Sequence, residues 1–242
     1  MPSHPTIHTS KAEPGMTREA ILGAIRRGLK RGPLPQDQTA MLRQRLAEHP
    51  RHLIPARSQV SRPEQIALLI ANIEKEFGTV TPVPDADAVP EAVVTYLAGQ
   101  NLPSMAVMAP HPELQAIPWH SRPLLVLHEG RAEATDLVSI QHGFAAVAET
   151  GTLMLPSGPD RPTTLNLLAD TAIVILRTSR VVGPYEDAWD LLRAQGPMPR
   201  NVMWVTGPSR SADIEQTLEL GAHGPRRLHV VLIEDDPSAR RV

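Results

Sequence analysis

The sequence predicts an α/β protein in which helices cover a mostly parallel β-sheet. Short apolar runs, rich in Val, Ile and Leu, recur along the chain and are bounded by Gly, Pro and polar residues. Helical patterns lie between several of these runs. Strands that are apolar on both faces are typical of parallel sheets, and their alternation with helices favours this fold class. The chain of 242 residues is long enough to bury a sizeable core.

The clearest predicted helix begins at Ser61. Ser61 and Glu64 have the spacing of a capping box, in which each side chain satisfies a backbone N–H at the start of a helix. Apolar residues follow on one helical face, namely Ile66, Leu69, Ile70, Ile73 and Phe77. Further helices are predicted at residues 90–98, 185–194 and 212–220. Strands are predicted near Val80 and at residues 105–109, 124–128, 172–177, 202–206 and 228–233.

The N-terminal part of the chain differs from the rest. Residues 1–15 are polar and rich in Pro and His, and we expect them to be disordered. Residues 16–58 are predicted to form a helical arm, with one helix capped by Thr17 and a second at residues 39–47. Residues 1–60 carry ten Lys or Arg and four Asp or Glu, although the whole chain has a net charge of −2. Because aromatic residues do not interleave with these charges, a solvated or docking helix face is favoured, and no nucleic-acid partner is expected.

The composition excludes several kinds of chemistry. The chain has no cysteine, which excludes disulfides, thiolate catalysis and cysteine-ligated iron–sulfur clusters within it. No apolar run approaches the roughly 20 residues of a membrane-spanning helix. The first residues lack the apolar centre of a secretory signal, so the expected location is the cytoplasm. His111 stands two residues before Glu113, but no third ligand follows at a familiar spacing, so we expect no bound metal.

Three polar clusters occur next to the predicted strands. The first, residues 149–152, lies in a predicted tight antiparallel reversal and continues into residues 157–161. The second, residues 206–215, runs from a strand into the helix predicted at 212–220, and the third, residues 221–227, precedes the last strand. In open α/β sheets ligands bind at the carboxyl ends of strands, so the first two clusters are well placed for a site.

Each cluster also has an interpretation without a ligand. A charge at Glu149 between buried strands is costly unless it is paired, so Glu149 is either a turn acid paired with an arginine or a functional carboxylate. Ser211 can cap the predicted helix, while Asp213 and Glu215 complement its positive end and leave less reason for a phosphate there. His223 lies either in a simple Gly-rich turn or against a ligand. A Ser-His-Asp hydrolase is not expected, because the serines of these clusters lack both an adjacent base and the Gly-x-Ser-x-Gly pattern.

Four segments together resemble the lactate utilization protein C family, whose hallmark is the LUD domain. They are AVAETGTLML, TTLNLLADTAIVIL, VTGPSRSADIEQTLELGAHGP and RRLHVVLIED. The resemblance covers about residues 60–236, so we expect a LUD domain over residues 59–242, and the segment MTREAILGAIRRGL resembles the usual opening of the family. The resemblance implies a Rossmann-like three-layer α/β/α sandwich of the type found in sugar-phosphate isomerases and coenzyme A transferases.

The resemblance also implies a function and a set of site residues. It implies a bacterial protein that acts with iron–sulfur subunits in oxidising L-lactate to pyruvate, with no cofactor on this chain. A small carboxylate ligand fits this role, and a homo-oligomer is left open. The residues shared with the family are Glu149, Thr150, Gly151, Thr152, Thr206, Gly207, Ser209, Arg210, Asp213, Glu215, His223 and Gly224. As hypotheses, Arg210 binds the carboxylate bidentately, and Glu149 or His223 moves a proton.

The sequence leaves two other functions open. It also does not decide whether the chain is an enzyme. The first is a coenzyme A transferase-like or sugar-phosphate isomerase-like enzyme, with Glu149 as the acyl acceptor of the transferase chemistry. The second is a non-catalytic scaffold or regulatory subunit, in which the basic arm docks on an acidic partner and the pocket senses a small molecule.

Overall fold

A computed structural model describes residues 17–30, 32–212 and 218–239. The chain divides into two compact units, residues 1–52 and residues 53–242. The disorder expected for residues 1–15 lies outside the described residues. In the described ranges, no helix combines the length and the apolar character that crossing a bilayer requires.

The first unit contains two helices, α1 (Arg18–Gly28) and α2 (Gln36–Glu48). Thr17 caps α1 as predicted, because its Oγ1 accepts a hydrogen bond of 3.3 Å from the backbone N–H of Ala20. Neither helix buries any of its residues. Their apolar side chains are therefore open to solvent rather than part of a core.

The second unit contains all the remaining elements. Its helices are α3 (Arg62–Lys75), α4 (Val89–Gly99), α5 (Pro112–Gln115) and α6 (Tyr185–Ala194). Its strands are β1 (Thr79–Val83), β2 (Met105–Met108), β3 (Val126–Glu129), β4 (Val138–His142), β5 (Ala145–Val147), β6 (Thr152–Pro156), β7 (Thr171–Arg177), β8 (Val181–Val182), β9 (Val202–Thr206), β10 (Arg210–Ala212), β11 (Leu218–Leu220) and β12 (Arg227–Ile233). The predicted capping box at the start of α3 is present. Strand β4 is not among the predicted elements.

The main sheet has six parallel strands in the order β1-β12-β7-β4-β2-β3. This confirms the predicted α/β class with a mostly parallel sheet. The two faces of the sheet alternate along β7: Ile173 and Ile175 pack in the core that contains α4, whereas Val174 and Leu176 pack on the side of α3. This period of two is what a strand buried on both faces requires.

A second, smaller sheet lies on the α3 side of the main sheet and has the order β8-β5-β6-β9. Its strands β5 and β6 are antiparallel, which confirms the tight reversal predicted near Glu149. Leu153 and Leu155 of β6 pack toward the main sheet, whereas Met154 between them packs against Ala188 of α6. The strand predicted at residues 202–206 exists as β9, but it pairs antiparallel with β6 instead of joining the parallel sheet.

The prediction of a helix at residues 212–220 is wrong at both ends of that range, where the structure has strands. Strands β10 and β11 form an antiparallel pair in which Arg210 lies opposite Leu220. Ser211 lies within β10 and so does not cap a helix. The backbone N–H of Gly221 donates to the carbonyl of Ser209 and so joins the two ends of the hairpin. In a helix over residues 212–220 these two residues would lie at opposite ends and could not form this bond. Asp213 and Glu215 lie outside the described residues, so their predicted roles stay predictions.

Candidate functional site

A cavity of about 290 Å³ lies against β9, β7 and the start of β12. Its wall includes six of the twelve candidate residues, Thr206, Gly207, Ser209, Arg210, His223 and Gly224. The second and third polar clusters of the sequence therefore meet in space. Such a cavity, with polar groups converging on a partly apolar wall, is the usual form of a small-molecule site.

Ser209 joins the two loops that carry these residues. Its backbone N–H donates to the carbonyl of Pro225 at 2.8 Å, and its carbonyl accepts from the N–H of Gly221 at 2.9 Å. Its hydroxyl accepts a hydrogen bond of 3.3 Å from the N–H of His223. Ser209 thus holds the histidine loop beside the arginine-bearing turn, and the His223 ring lies exposed at the edge of the cavity.

Arg210 is fixed on the cavity wall by the end of α3. Its Nη2 donates to Glu76 Oε2 at 2.8 Å and to the Glu76 carbonyl at 3.3 Å. The centre of its guanidinium lies 4.4 Å from the centroid of the Phe77 ring, which is a cation–π distance. A rigid guanidinium of this kind can bind a planar carboxylate in two-point geometry, but Glu76 already occupies part of it.

Two glycines allow the site to pack on the last turns of α3. Gly207 has φ of +74°, and a Cβ there would lie 2.4 Å from the carbonyl oxygen of Glu76. Gly151 has φ of +68°, and a Cβ there would lie 2.7 Å from the backbone of Asn72 and Ile73. Because backbone atoms cannot move aside as a flexible side chain can, both positions require glycine.

Glu149 does not line this cavity. Its side chain is only 7% exposed, and Arg57 Nη2 donates to its Oε1 at 2.6 Å. The turn itself is tied to α3, because Asn72 Nδ2 donates to the carbonyls of Ala148 at 2.9 Å and Glu149 at 3.1 Å. This geometry is that of a turn acid paired with an arginine, and a proton-moving role for Glu149 stays a prediction.

Four hydroxyl groups connect the first cluster with the cavity. Thr152 Oγ1 lies 2.6 Å from Thr150 Oγ1, 2.9 Å from Tyr185 Oη and 2.7 Å from Thr206 Oγ1. Tyr185 Oη also lies 2.9 Å from Thr150 Oγ1. The first cluster is therefore coupled to the cavity through Thr206 rather than through Glu149. Tyr185 was not a sequence candidate, because its helical spacing gives no sign of a contact with residues 150–152.

Gln141 and Asn166 are further polar residues on the cavity wall that the sequence analysis missed. Gln141 Nε2 donates to the carbonyl of Leu165 at 2.6 Å and to Ser139 Oγ at 3.0 Å. Its Oε1 is buried and has no partner among the described residues. A glutamine within the run Val138–His142 was the available signal, because polar residues in buried strands are rare unless they are bonded or functional.

At β7 and β12 the cavity reaches the amino ends of the strands, contrary to expectation. Ala172 and Leu228, the second residues of β7 and β12, are on its wall. The expected position at a carboxyl end holds for β9, which ends at Thr206, and for β4 and β6, whose penultimate residues Gln141 and Leu155 are on the wall. The expectation failed because β9 belongs to the smaller sheet and runs antiparallel to β6.

Part of the chain is similar to a known protein family. Residues 131–233, which contain the reversal and both loops of the cavity, match the LUD domain. This part of the chain is similar to the LUD domain. The resemblance identified in the sequence is thereby confirmed. Arg57, Asn72 and Glu76, which hold the site from outside, precede the matched part of the LUD domain.

Several known proteins are similar in sequence to part of this chain. Lactate utilization protein C from Bacillus subtilis is 37% identical over 102 residues, covering 40% of this chain and 42% of that protein. Its namesake from Bacillus licheniformis is 35% identical over 109 residues, covering 43% and 45%. An uncharacterized protein from Neisseria meningitidis is 39% identical over 103 residues, covering 40% and 44%. The matches thus span less than half the length of these relatives.

A solved structure has a similar fold. A DUF162 family protein from Deinococcus radiodurans superimposes with a TM-score of 0.54 at 22% identity, covering 72% of this chain and 99% of that one. At this identity the likeness supports the α/β fold alone.

Proposed function

We propose that this protein takes part in L-lactate utilization as a subunit or accessory that binds a small carboxylate, with iron–sulfur partners carrying the electrons. Two of the relatives described above are named lactate utilization protein C, which supports the metabolic role. The observation that carries the proposal is the cavity on which Arg210 and His223 meet.

The division of labour follows from the chemistry of the reaction. Oxidation of lactate to pyruvate releases two electrons and two protons, and the electrons need a carrier. This chain has no cysteine and so cannot hold a cysteine-ligated iron–sulfur cluster. We therefore assign such carriers to partner proteins and the binding of a carboxylate to this chain.

The cavity offers a specific way to bind that carboxylate. Lactate and pyruvate are small enough for a cavity of about 290 Å³. In the proposed complex the ligand carboxylate exchanges with Glu76 on the guanidinium of Arg210, which Phe77 keeps in place. His223, exposed at the edge of the cavity, is then the group that we assign to moving a proton.

Calorimetry with L-lactate and with pyruvate tests the binding proposal. Wild-type protein is expected to bind at least one of them, Arg210→Ala to lose binding, and Arg210→Lys to retain only weak binding because an ammonium lacks the two-point fork. Arg226→Ala is the matched control, since Arg226 pairs with Asp170 and is not on the cavity wall. Equal binding by wild type and Arg210→Ala would remove the assigned role.

The scaffold function has one observation in its favour, the unburied apolar face of α1. Ile21, Ile25 and Leu29 are exposed, and Arg26 and Arg27 lie in the last turn of the helix. A basic amphipathic helix of this kind suits an acidic partner surface. Pull-down from native cells with the Arg26→Glu/Arg27→Glu variant should lose partners but leave carboxylate binding intact if the arm docks and the cavity binds independently.

A further inference from the structure

We propose that this chain has a second site, a zinc-type metal site formed by His111, Glu113 and His142. From the sequence we expect no bound metal, because only two of these residues are neighbours in the chain. The fold adds His142, and one ligand atom from each residue lies within 4.8 Å of the others. Two histidines and one glutamate are a common donor set for zinc in enzymes, where the fourth position is left for water or substrate.

The parallel sheet explains why the three side chains meet. Strands β2 and β4 are neighbours and run in the same direction, so their carboxyl ends lie side by side. His142 is the last residue of β4, while His111 and Glu113 begin the short helix α5 that follows β2. The site therefore lies at the carboxyl ends of the strands, where ligands of such sheets usually bind. None of its three residues is on the wall of the cavity that contains Arg210.

The spacing of the ligand atoms suits an ion. Glu113 Oε1 lies 3.5 Å from His142 Nε2. Two ligands that hold zinc at about 2.0 to 2.1 Å with tetrahedral angles lie about 3.4 Å apart. The His111 ring stacks on His142 with a centroid distance of 3.7 Å, so it must turn out of the stack for its lone pair to converge with the others.

His111 is poised for such a turn because its present contacts conflict. Its Nδ1 faces the backbone N–H of Glu113 at 3.2 Å, and its Nε2 faces Arg161 Nη2 at 2.8 Å. A neutral imidazole carries one N–H and one lone pair, so it cannot accept from both donors. In the structure the guanidinium of Arg161 lies against His111 Nε2. In the proposed complex the metal ion takes that place, and the guanidinium moves to the carboxylate of Asp160, which is 4.0 Å away.

A buried atom without a partner gives independent support. The His142 side chain is only 9% exposed, and its Nδ1 is buried with no partner in the described part of the chain. Polar atoms buried without partners are uncommon in native proteins and often indicate an ion or a water molecule.

The surroundings of Glu113 match those of a metal-binding carboxylate. Arg177 Nε donates to Glu113 Oε2 at 2.7 Å, so Oε1 is directed toward His142. A second hydrogen bond of this kind commonly orients a ligand in metal sites. The positive charges of Arg177 and Arg161 are balanced by Asp235 at 3.7 Å and by Asp160.

Metal titration of the tag-free full chain, after treatment with a chelator, tests this proposal. We expect one equivalent of Zn²⁺ by calorimetry, and one equivalent of Co²⁺ with the strong visible absorption of four-coordinate cobalt, whereas Mg²⁺ should compete with neither. Glu113→Gln and His142→Asn should each weaken binding at least about tenfold. Glu113 is partly exposed, so its amide variant is the one expected to keep the fold if His142→Asn does not.

His128→Asn is the matched control, because His128 lies 3.3 Å from the carboxylate of Asp136 at another place on the protein. This control and Arg210→Ala should bind the metal as the wild type does. The proposal is overturned if the wild type takes up no stoichiometric metal, if Glu113→Gln binds with unchanged affinity, or if His128→Asn loses the ion instead.

Discussion

Arg210 and Glu76 are 134 positions apart in the sequence and form an ion pair of 2.8 Å at the wall of the cavity. The pair joins the end of the longest described helix to the turn that carries the predicted carboxylate-binding residue. Glu76 is therefore both a support for Arg210 and a competitor for any carboxylate that binds there.

The first prediction concerns this competition. Glu76→Gln should tighten the binding of pyruvate or lactate roughly twofold to fivefold, because a partly exposed ion pair contributes up to about 1 kcal/mol. Calorimetry measures the change directly. Glu74→Gln, which removes an exposed acid from the same helix, is the control and should leave the affinity unchanged. Weaker binding by Glu76→Gln would mean that Glu76 matters as a support and not as a competitor.

The second prediction concerns Gly207. Gly207→Ala should lower the free energy of unfolding by about 1 to 3 kcal/mol, because the new Cβ would lie 2.4 Å from a backbone oxygen and φ is +74°. Gly196→Ala separates the two causes, since Gly196 has φ of +119° but open space around it. Thermal or denaturant unfolding should show a larger loss for Gly207→Ala, and equal losses would contradict a steric role.

The third prediction concerns the hydroxyl cluster. Tyr185→Phe removes two contacts of 2.9 Å and should cost about 1 kcal/mol, while the ring keeps its packing against Trp204. Denaturant unfolding measures this cost. Tyr185→Leu is the comparison, because it also loses the ring and should cost more. If Tyr185→Phe unfolds as the wild type does, the hydroxyl contacts add nothing to stability.

The fourth prediction concerns acid stability and His229. Burial lowers the pKa of His229 to about 4, below the value near 6.5 of an unfolded histidine. The unfolded chain therefore binds a proton first, and the contribution of His229 to stability is present above about pH 6.5 and lost as the pH falls toward 4. The loss should reach about 3 kcal/mol at most.

Comparing His229→Gln with the wild type isolates this effect from that of other acid-sensitive groups. The variant removes the ring stacked on Tyr96 and so should be less stable at pH 7. Its unfolding free energy should, however, fall less steeply between pH 6.5 and 4. Parallel pH profiles for the two proteins would show that His229 does not titrate in this range.

Local signals were sufficient for several elements of the fold. The capping box at Ser61 and the helical spacing after it predicted α3, and residues 185–194 were predicted with the same bounds as α6. These signals lie within a few residues of one another, so no distant contact is needed to interpret them. Arg210 and His223 were both candidates, but the strand-end rule covered only the cluster of Arg210, and the structure adds His223 to the same cavity wall.

Distant contacts decided the remaining features. The run after Arg210 has a helical pattern, yet Glu76 and Pro225 fix its first residues and a hairpin results. Tyr185 and Gln141 reach the site from elements far apart in the sequence, and no spacing rule relates them to residues 149–152. The grouping of His111 with His142 depends on the order of strands in the sheet, which the sequence does not reveal.

The close packing of Gly151 and Gly207 on α3 has a mechanical consequence. Each glycine leaves no room between its own backbone and the last turns of the helix, so neither loop can approach the helix further. A shift of those turns by even a fraction of an ångström would therefore push the β5–β6 reversal and the arginine-bearing turn together, as one rigid assembly.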